Sequence, residues 1–174
     1  KYQLEPFLKS RAVASLDYVF VTHGDEDHIS GIEELLANQK LGIGIRTLVL
    51  PPRHVMDDAL DELARLAEEH GTRVVTMQEG EQIVRGNGAA PEEGGTSNPA
   101  APPTDEGAAG KDADDVSENS VILACLAPSV DYDGETGNEA SLVLALRYGE
   151  FDMLFTGDIG KESEERLLEE GTLG

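Results

Sequence analysis

Apolar residues fall in short runs separated by polar, turn-forming stretches, and the spacing changes between the first and second halves of the chain. Leu16-Asp-Tyr-Val-Phe-Val-Thr22 is rich in aromatic and β-branched residues and predicts a buried strand ending at His23. Ser30-Gly-Ile-Glu33 has capping-box spacing, and Ile32, Leu35 and Leu36 follow at helical intervals. This pattern predicts a helix beginning near Gly31 and ending before Gly42. Thr47–Leu50 predicts a second strand, closed by Pro51 and Pro52. Met56, Ala59, Leu60, Leu63, Leu66 and Ala67 then form one helical stripe that stops at Gly71. Thr72–Thr76 and Glu81–Val84 read as two further short strands.

From about Gly86 to Asn119 the pattern is lost. This segment is made of Gly, Ala, Pro, Ser and acids, without an aromatic residue, Leu, Ile or Met. It cannot bury enough apolar area to offset its ordering entropy, which predicts a disordered insertion tolerated as a surface loop. Patterned sequence returns with strands at Val121–Leu126 and Ser141–Arg147 and a turn at Tyr148-Gly149-Glu150. A strand at Phe151–Phe155 and a helix at Lys161–Glu170 follow. Early alternation of strands and helices with a late hairpin predicts one α/β domain over residues 1–174, with mixed sheets and helices on the outer faces.

Composition narrows the picture. Hydrophobic residues make up 39% of the 174, enough for a packed core. No run approaches the roughly 18 apolar residues of a membrane span, and no signal-peptide pattern is visible. The single cysteine, Cys125, excludes an internal disulfide and a cysteine-rich zinc site. Its apolar setting marks it as an inert core thiol. Thirty-five acidic against 13 basic side chains give a formal charge of −22. That charge argues against broad electrostatic capture of nucleic acid, and it attracts divalent cations.

The chemistry is concentrated in Thr22-His-Gly-Asp-Glu-Asp-His28. Two histidines and three acids lie straight after a core strand, a density that ordinary surface loops rarely carry. The spacing allows two adjacent cations, with His23 and Asp25 on one and Asp27 and His28 on the other. Paired ions of this kind activate a bridging water. A second stretch, Phe155-Thr-Gly-Asp158, brings a carboxylate to the end of another apolar strand. Read alone, Asp158 is an N-cap for the last helix; beside the first motif it reads as a bridging ligand. His54 and His70 read as surface or helix-end residues.

These stretches resemble the metallo-β-lactamase superfamily. Thr-His-x-Asp-x-Asp-His is similar to the signature His-x-His-x-Asp-His with Asp in its second metal position. That variant resembles the branch containing the C-terminal domain of the DNA-uptake competence protein ComEC and its stand-alone relatives. Pro6-Phe-Leu-Lys-Ser10, Asn138-Glu-Ala-Ser-Leu-Val-Leu144, Leu154-Phe-Thr-Gly-Asp-Ile159 and Glu164-Glu-Arg-Leu167 extend the likeness over nearly all of the chain outside the insertion.

The resemblance implies an αββα sandwich and a metal-dependent hydrolase of phosphodiesterase or nuclease type acting on incoming DNA. Divalent ions, two in number and manganese or zinc in kind, would be held by His23, Asp25, Asp27, His28 and Asp158, with Asp27 also catalytic. Asn138 and Ser141 would line the substrate site; as plain sequence they are equally a turn residue and a strand-opening hydroxyl. Oxygen donors at Asp25, Asp27 and Asp158 tilt the metal preference towards manganese. The family begins with further strands before the equivalent of Lys1 and has a His-His-Gly segment after the equivalent of Gly174. The expectation is therefore an internal piece of the domain, of low activity by itself, from a parent anchored at the bacterial cell membrane. A non-catalytic binding or scaffold module is the competing expectation, as is a hydrolase of another ester such as a lactone or thioester. Neither oligomeric state nor the side of the membrane is legible.

Overall fold

The computed structural model describes residues 4–39, 42–85, 120–134 and 137–169. The insertion expected at about 86–119 lies outside these residues. Two sheets are present among them, one wholly parallel and one wholly antiparallel.

The parallel sheet has the order β1-β2-β3, from Ser15–Phe20, Gly44–Leu50 and Arg73–Thr76. Ser15 pairs with Gly44 and Thr47 with Arg73, so all three strands end at the same edge. Parallel neighbours need crossover connections, which are usually helices. Helix α1 (Leu4–Ser10) precedes β1, while α2 (Glu26–Ala37) and α3 (Asp58–Glu69) make the two crossovers.

The central strand β2 explains how the layers join. Leu48, Val49 and Leu50 are all fully buried, a mark of a strand covered on both faces. Leu48 and Leu50 pack under the helices against Leu36, Leu60, Leu63 and Ala67. Val49 points the other way, towards Met77 and Leu142 in the connecting segments and Cys125 and Leu144 in the second sheet. Each fully buried Leu contributes on the order of 1.5–3 kcal/mol.

The antiparallel sheet has the order β4-β5-β6-β7, from Gln82–Arg85, Val121–Ala127, Val143–Tyr148 and Phe151–Phe155. Tyr148 pairs with Phe151 across a tight turn at Gly149 and Glu150, as the sequence predicts. Gly149 takes φ +57°, a value that glycine adopts at little cost. On the outer face Val143 and Ala127 meet Leu167 of the last helix, α4 (Lys161–Glu169). The layers therefore run helices, parallel sheet, antiparallel sheet, helix.

Two expected boundaries need correction. Helix α2 starts at Glu26, not near Gly31, because the Asp25 carbonyl accepts from the His28 and Ile29 amides and opens the helix there. Ser30 is thus an interior residue of the helix and caps nothing. Strand β6 starts at Val143, not Ser141, because Gly137–Ala140 forms a 3₁₀ turn whose Asn138 carbonyl takes the Ser141 amide. Among the described residues no helix is long and apolar enough to cross a membrane.

Candidate metal centre

The motif loop leaves the end of β1 and is fixed from both sides. The Val21 amide donates to the Val49 carbonyl at 3.0 Å, and the Leu142 amide to the Thr22 carbonyl at 2.9 Å. Val21 is therefore stitched to the parallel sheet and Thr22 to the run leading into β6. Val21 is 2% exposed and His23 1%. Gly24 lies against the Asp57 carboxylate, where a Cβ atom would collide. Asp57 in turn caps α3 by accepting from the Leu60 amide at 2.9 Å.

Past Gly24 the chain turns into α2, and the early helix start decides where the remaining motif residues lie. Glu26, Asp27 and His28 occupy the first turn, where the helix dipole favours the two acids. The turn brings the His28 ring to 4.1 Å from the His23 ring, centroid to centroid.

Asp158 comes from the other sheet. Strand β7 ends at Phe155, and Gly157 turns the chain with φ +59°. A Cβ at Gly157 would lie 2.9 Å from Thr22 Cβ and 3.0 Å from Ser141 Cβ, so only glycine lets the loop lie this close. Asp158 does not cap α4. Glu139 does so from outside, accepting from the Ser163 amide at 3.2 Å and from the Ser163 hydroxyl at 2.6 Å. The Asp158 carboxylate is left free to face His28, with Oδ2 3.4 Å from Nε2.

His23, His28 and Asp158 each offer one donor atom, and the three atoms lie within 4.8 Å of one another. His23 Nε2 is fully buried yet has no hydrogen-bond partner, one of two such side-chain atoms among the described residues. Its nearest acid is Asp25, with Oδ2 at 3.5 Å. A buried ring nitrogen without a partner is costly unless something else satisfies it. Two imidazoles and a carboxylate form a donor set that suits zinc, manganese or another first-row ion. On both counts these residues fit a divalent metal.

The other expected ligands stand at the rim. The Asp25 side chain is about half exposed, and the Asp27 side chain is 82% exposed with Oδ2 3.9 Å from His28 Nε2. Asn138 is exposed on the 3₁₀ turn, whereas Ser141 is fully buried with Oγ 3.3 Å from His23 Nδ1. His54 and His70 are exposed and lie outside the three-residue group. Sequence reasoning assigned no role to Thr22, Gly157 or Glu139. The Thr-Gly-Asp spacing was the visible signal for Gly157, but nothing in the sequence marks Glu139 as the cap of a helix two dozen residues away.

Cys125 is 2% exposed and donates to the Ala127 carbonyl at 3.1 Å. Burial pushes its thiol pKa up to about 12, which fits an inert thiol.

A family model described as the metallo-beta-lactamase superfamily matches residues 1–173. The chain is also 26% identical over 165 residues to ComE operon protein 3 of Bacillus subtilis (strain 168). The match covers 95% of this chain and 16% of that protein, so the chain spans a small part of its relative's length. No solved structure gives a significant match.

Proposed function

The chain belongs to the metallo-β-lactamase superfamily, and from that premise we propose that its two motif loops hold a divalent metal centre for phosphodiester hydrolysis. The observation that carries this reading is the convergence of three donor atoms on one point, with the His23 Nε2 atom buried and unpartnered. His23, His28 and Asp158 hold the first ion. Asp25 and Asp27, at the exposed rim, give a second and weaker position. A divalent ion supplies Lewis acidity there, lowering the pKa of water and neutralising charge that develops on the phosphoryl oxygens.

The protein's own residues do the rest. Burial of His23 keeps bulk water off one side of the site. The exposed Asp27 carboxylate, one residue from His28, is placed to accept a proton from an attacking water. Asn138, exposed on its turn, is available to a substrate. DNA as the substrate, and a role in its uptake, rest on the likeness to ComE operon protein 3 and on the resemblance to the ComEC domain. A charge of −22 repels a polyanion, so this chain alone favours a small phosphodiester over long DNA. The metal is manganese or zinc: three carboxylates pull towards the harder ion, two imidazoles towards zinc.

The test combines metal content, chelator competition and hydrolysis of bis(p-nitrophenyl) phosphate. The chain is expected to bind manganese and zinc, to show weak metal-dependent turnover, and to lose both properties in His23→Ala. Metal binding without turnover on phosphodiester, lactone or thioester would favour a binding module. Turnover confined to a lactone or thioester would move the substrate class. Absence of divalent binding would overturn the metal centre.

A further inference from the structure

Behind the two imidazoles lies a pair of hydroxyls that the hydrolytic reading does not use. Thr22 Oγ1 is 3.0 Å from His23 Nδ1 and 3.4 Å from His28 Nδ1. Ser141 Oγ is 3.3 Å from His23 Nδ1. One threonine thus touches the same nitrogen on both rings, and the Nε2 atoms of both rings face the carboxylates instead.

A neutral imidazole carries one proton, so Nε2 has a lone pair to give only when Nδ1 holds that proton. A hydroxyl oxygen has two acceptor lone pairs and can receive both Nδ1–H groups at once. Ser141 gives His23 a second acceptor. The opposite tautomer would bury a donor at His23 Nε2, whose nearest acceptor, Asp25 Oδ2 at 3.5 Å, forms no hydrogen bond with it. The hydroxyls are held in place by backbone hydrogen bonds and packing. Thr22 is tied through its carbonyl to Leu142, Ser141 through its amide to Asn138, and Gly157 closes over both side chains.

We propose that Thr22 and Ser141 are positioning residues, a shared hydroxyl cradle that holds His23 and His28 as Nδ1–H tautomers and aims both Nε2 lone pairs at one divalent ion. The inference rests on the metal-centre reading. It moves Ser141 from the substrate face to the support of His23, and gives Thr22 control of both ligands. Residues that orient metal-bound imidazoles typically change affinity by roughly 10–100-fold when lost.

Two measurements on the full 174-residue chain decide it. Long-range ¹⁵N–¹H NMR of the metal-free protein, at a pH where both rings are neutral, reads the tautomers directly. Chelator competition reads manganese and zinc affinity. The wild-type chain should show Nδ1–H on both rings. Thr22→Val, close in shape but without the hydroxyl, should mix the tautomers of both and weaken metal binding about 10–100-fold. Thr22→Ser should restore both readouts, and Ser141→Ala should disturb His23 alone. Should Thr22→Val fail to fold, Ser141→Ala and Thr22→Ser still carry the comparison. Nε2–H tautomers in the wild type, or unchanged tautomers and affinity in Thr22→Val, would overturn the cradle. A wild-type chain with both Nδ1–H tautomers that binds neither metal keeps the cradle and overturns the metal centre.

Discussion

The two loops that meet at the candidate metal centre are supported in opposite ways. The loop after β1 is sunk in the protein: Val21, His23 and Gly24 are buried, and backbone hydrogen bonds tie its start to β2 and to the lead-in of β6. The loop after β7 leaves an edge strand whose five residues are all exposed, Phe151 at 56% among them. Its Asp158 owes its place to a glycine contact at one side and to the Glu139-capped helix at the other. A site residue can therefore be fixed by burial or by a clamp. The first way gives rigidity through packing; the second leaves the carboxylate open to solvent.

The contrast is sharpest in the cores beneath the loops. Leu48→Ala, on the doubly covered β2, should cost about 2–5 kcal/mol through lost burial and a residual cavity. Met153→Ala on β7, already 46% exposed, should cost no more than about 0.5 kcal/mol. Urea denaturation of the two variants measures both. Equal costs would mean that β7 is covered in solution and that the contrast fails.

Gly157→Ala strikes the contact between the loops. It combines a left-handed backbone with a Cβ that has no room, so a loss of about 1–3 kcal/mol is expected. Metal affinity should fall with it, read by chelator competition. Glu139→Ala tests the clamp alone: removing a helix cap costs about 1 kcal/mol. Asp158 should become mobile while the NMR signals of buried His23 stay unchanged. Matching perturbation of both residues would show that one scaffold serves both loops.

Asp25→His sits at the exposed rim, where stability should move by less than about 0.5 kcal/mol. Its readout is the ratio of zinc to manganese affinity, which should rise. An unmoved ratio would end the argument from ligand hardness. The smallest effect near neutral pH concerns Cys125. Its folded pKa is raised by burial from 9.0 to about 12, so the stability it contributes is fully present below 9.0 and is lost as pH rises towards about 12. Alkaline titration of unfolding should show a decline that Cys125→Ala flattens, and native thiol labelling at neutral pH should be negligible.

Much of this molecule was legible in one dimension because its signals are local. The stripe from Ala59 to Ala67 lies in α3, the run before His23 supplies β1 as far as Phe20, and the Tyr148–Phe151 hairpin formed where glycine permits a tight turn. The superfamily was also legible, since its signature lies within seven consecutive residues. The start of α2 was misread because Ser30 and Glu33 have the spacing of a capping box, a local pattern satisfied equally well by residues inside a helix.

What the amino-acid sequence determined by itself was the inventory of strands, helices and candidate metal-ligating side chains, because periodicity and residue chemistry are carried by neighbours in the chain. Tertiary structure alone decided which of those side chains meet. Asp158 stands 130 residues from His28 and Ser141 stands 118 from His23, yet each lies within 3.4 Å of its histidine. Those distances are set by the stacking of two sheets and by the bare backbone of Gly157, and no local pattern encodes them. Packing likewise divided the acids, leaving Asp25 and Asp27 at the rim while Asp158 joined the two histidines. The physical reason is that burial and hydrogen bonding act between surfaces brought together by folding, whereas a motif records only order along the chain.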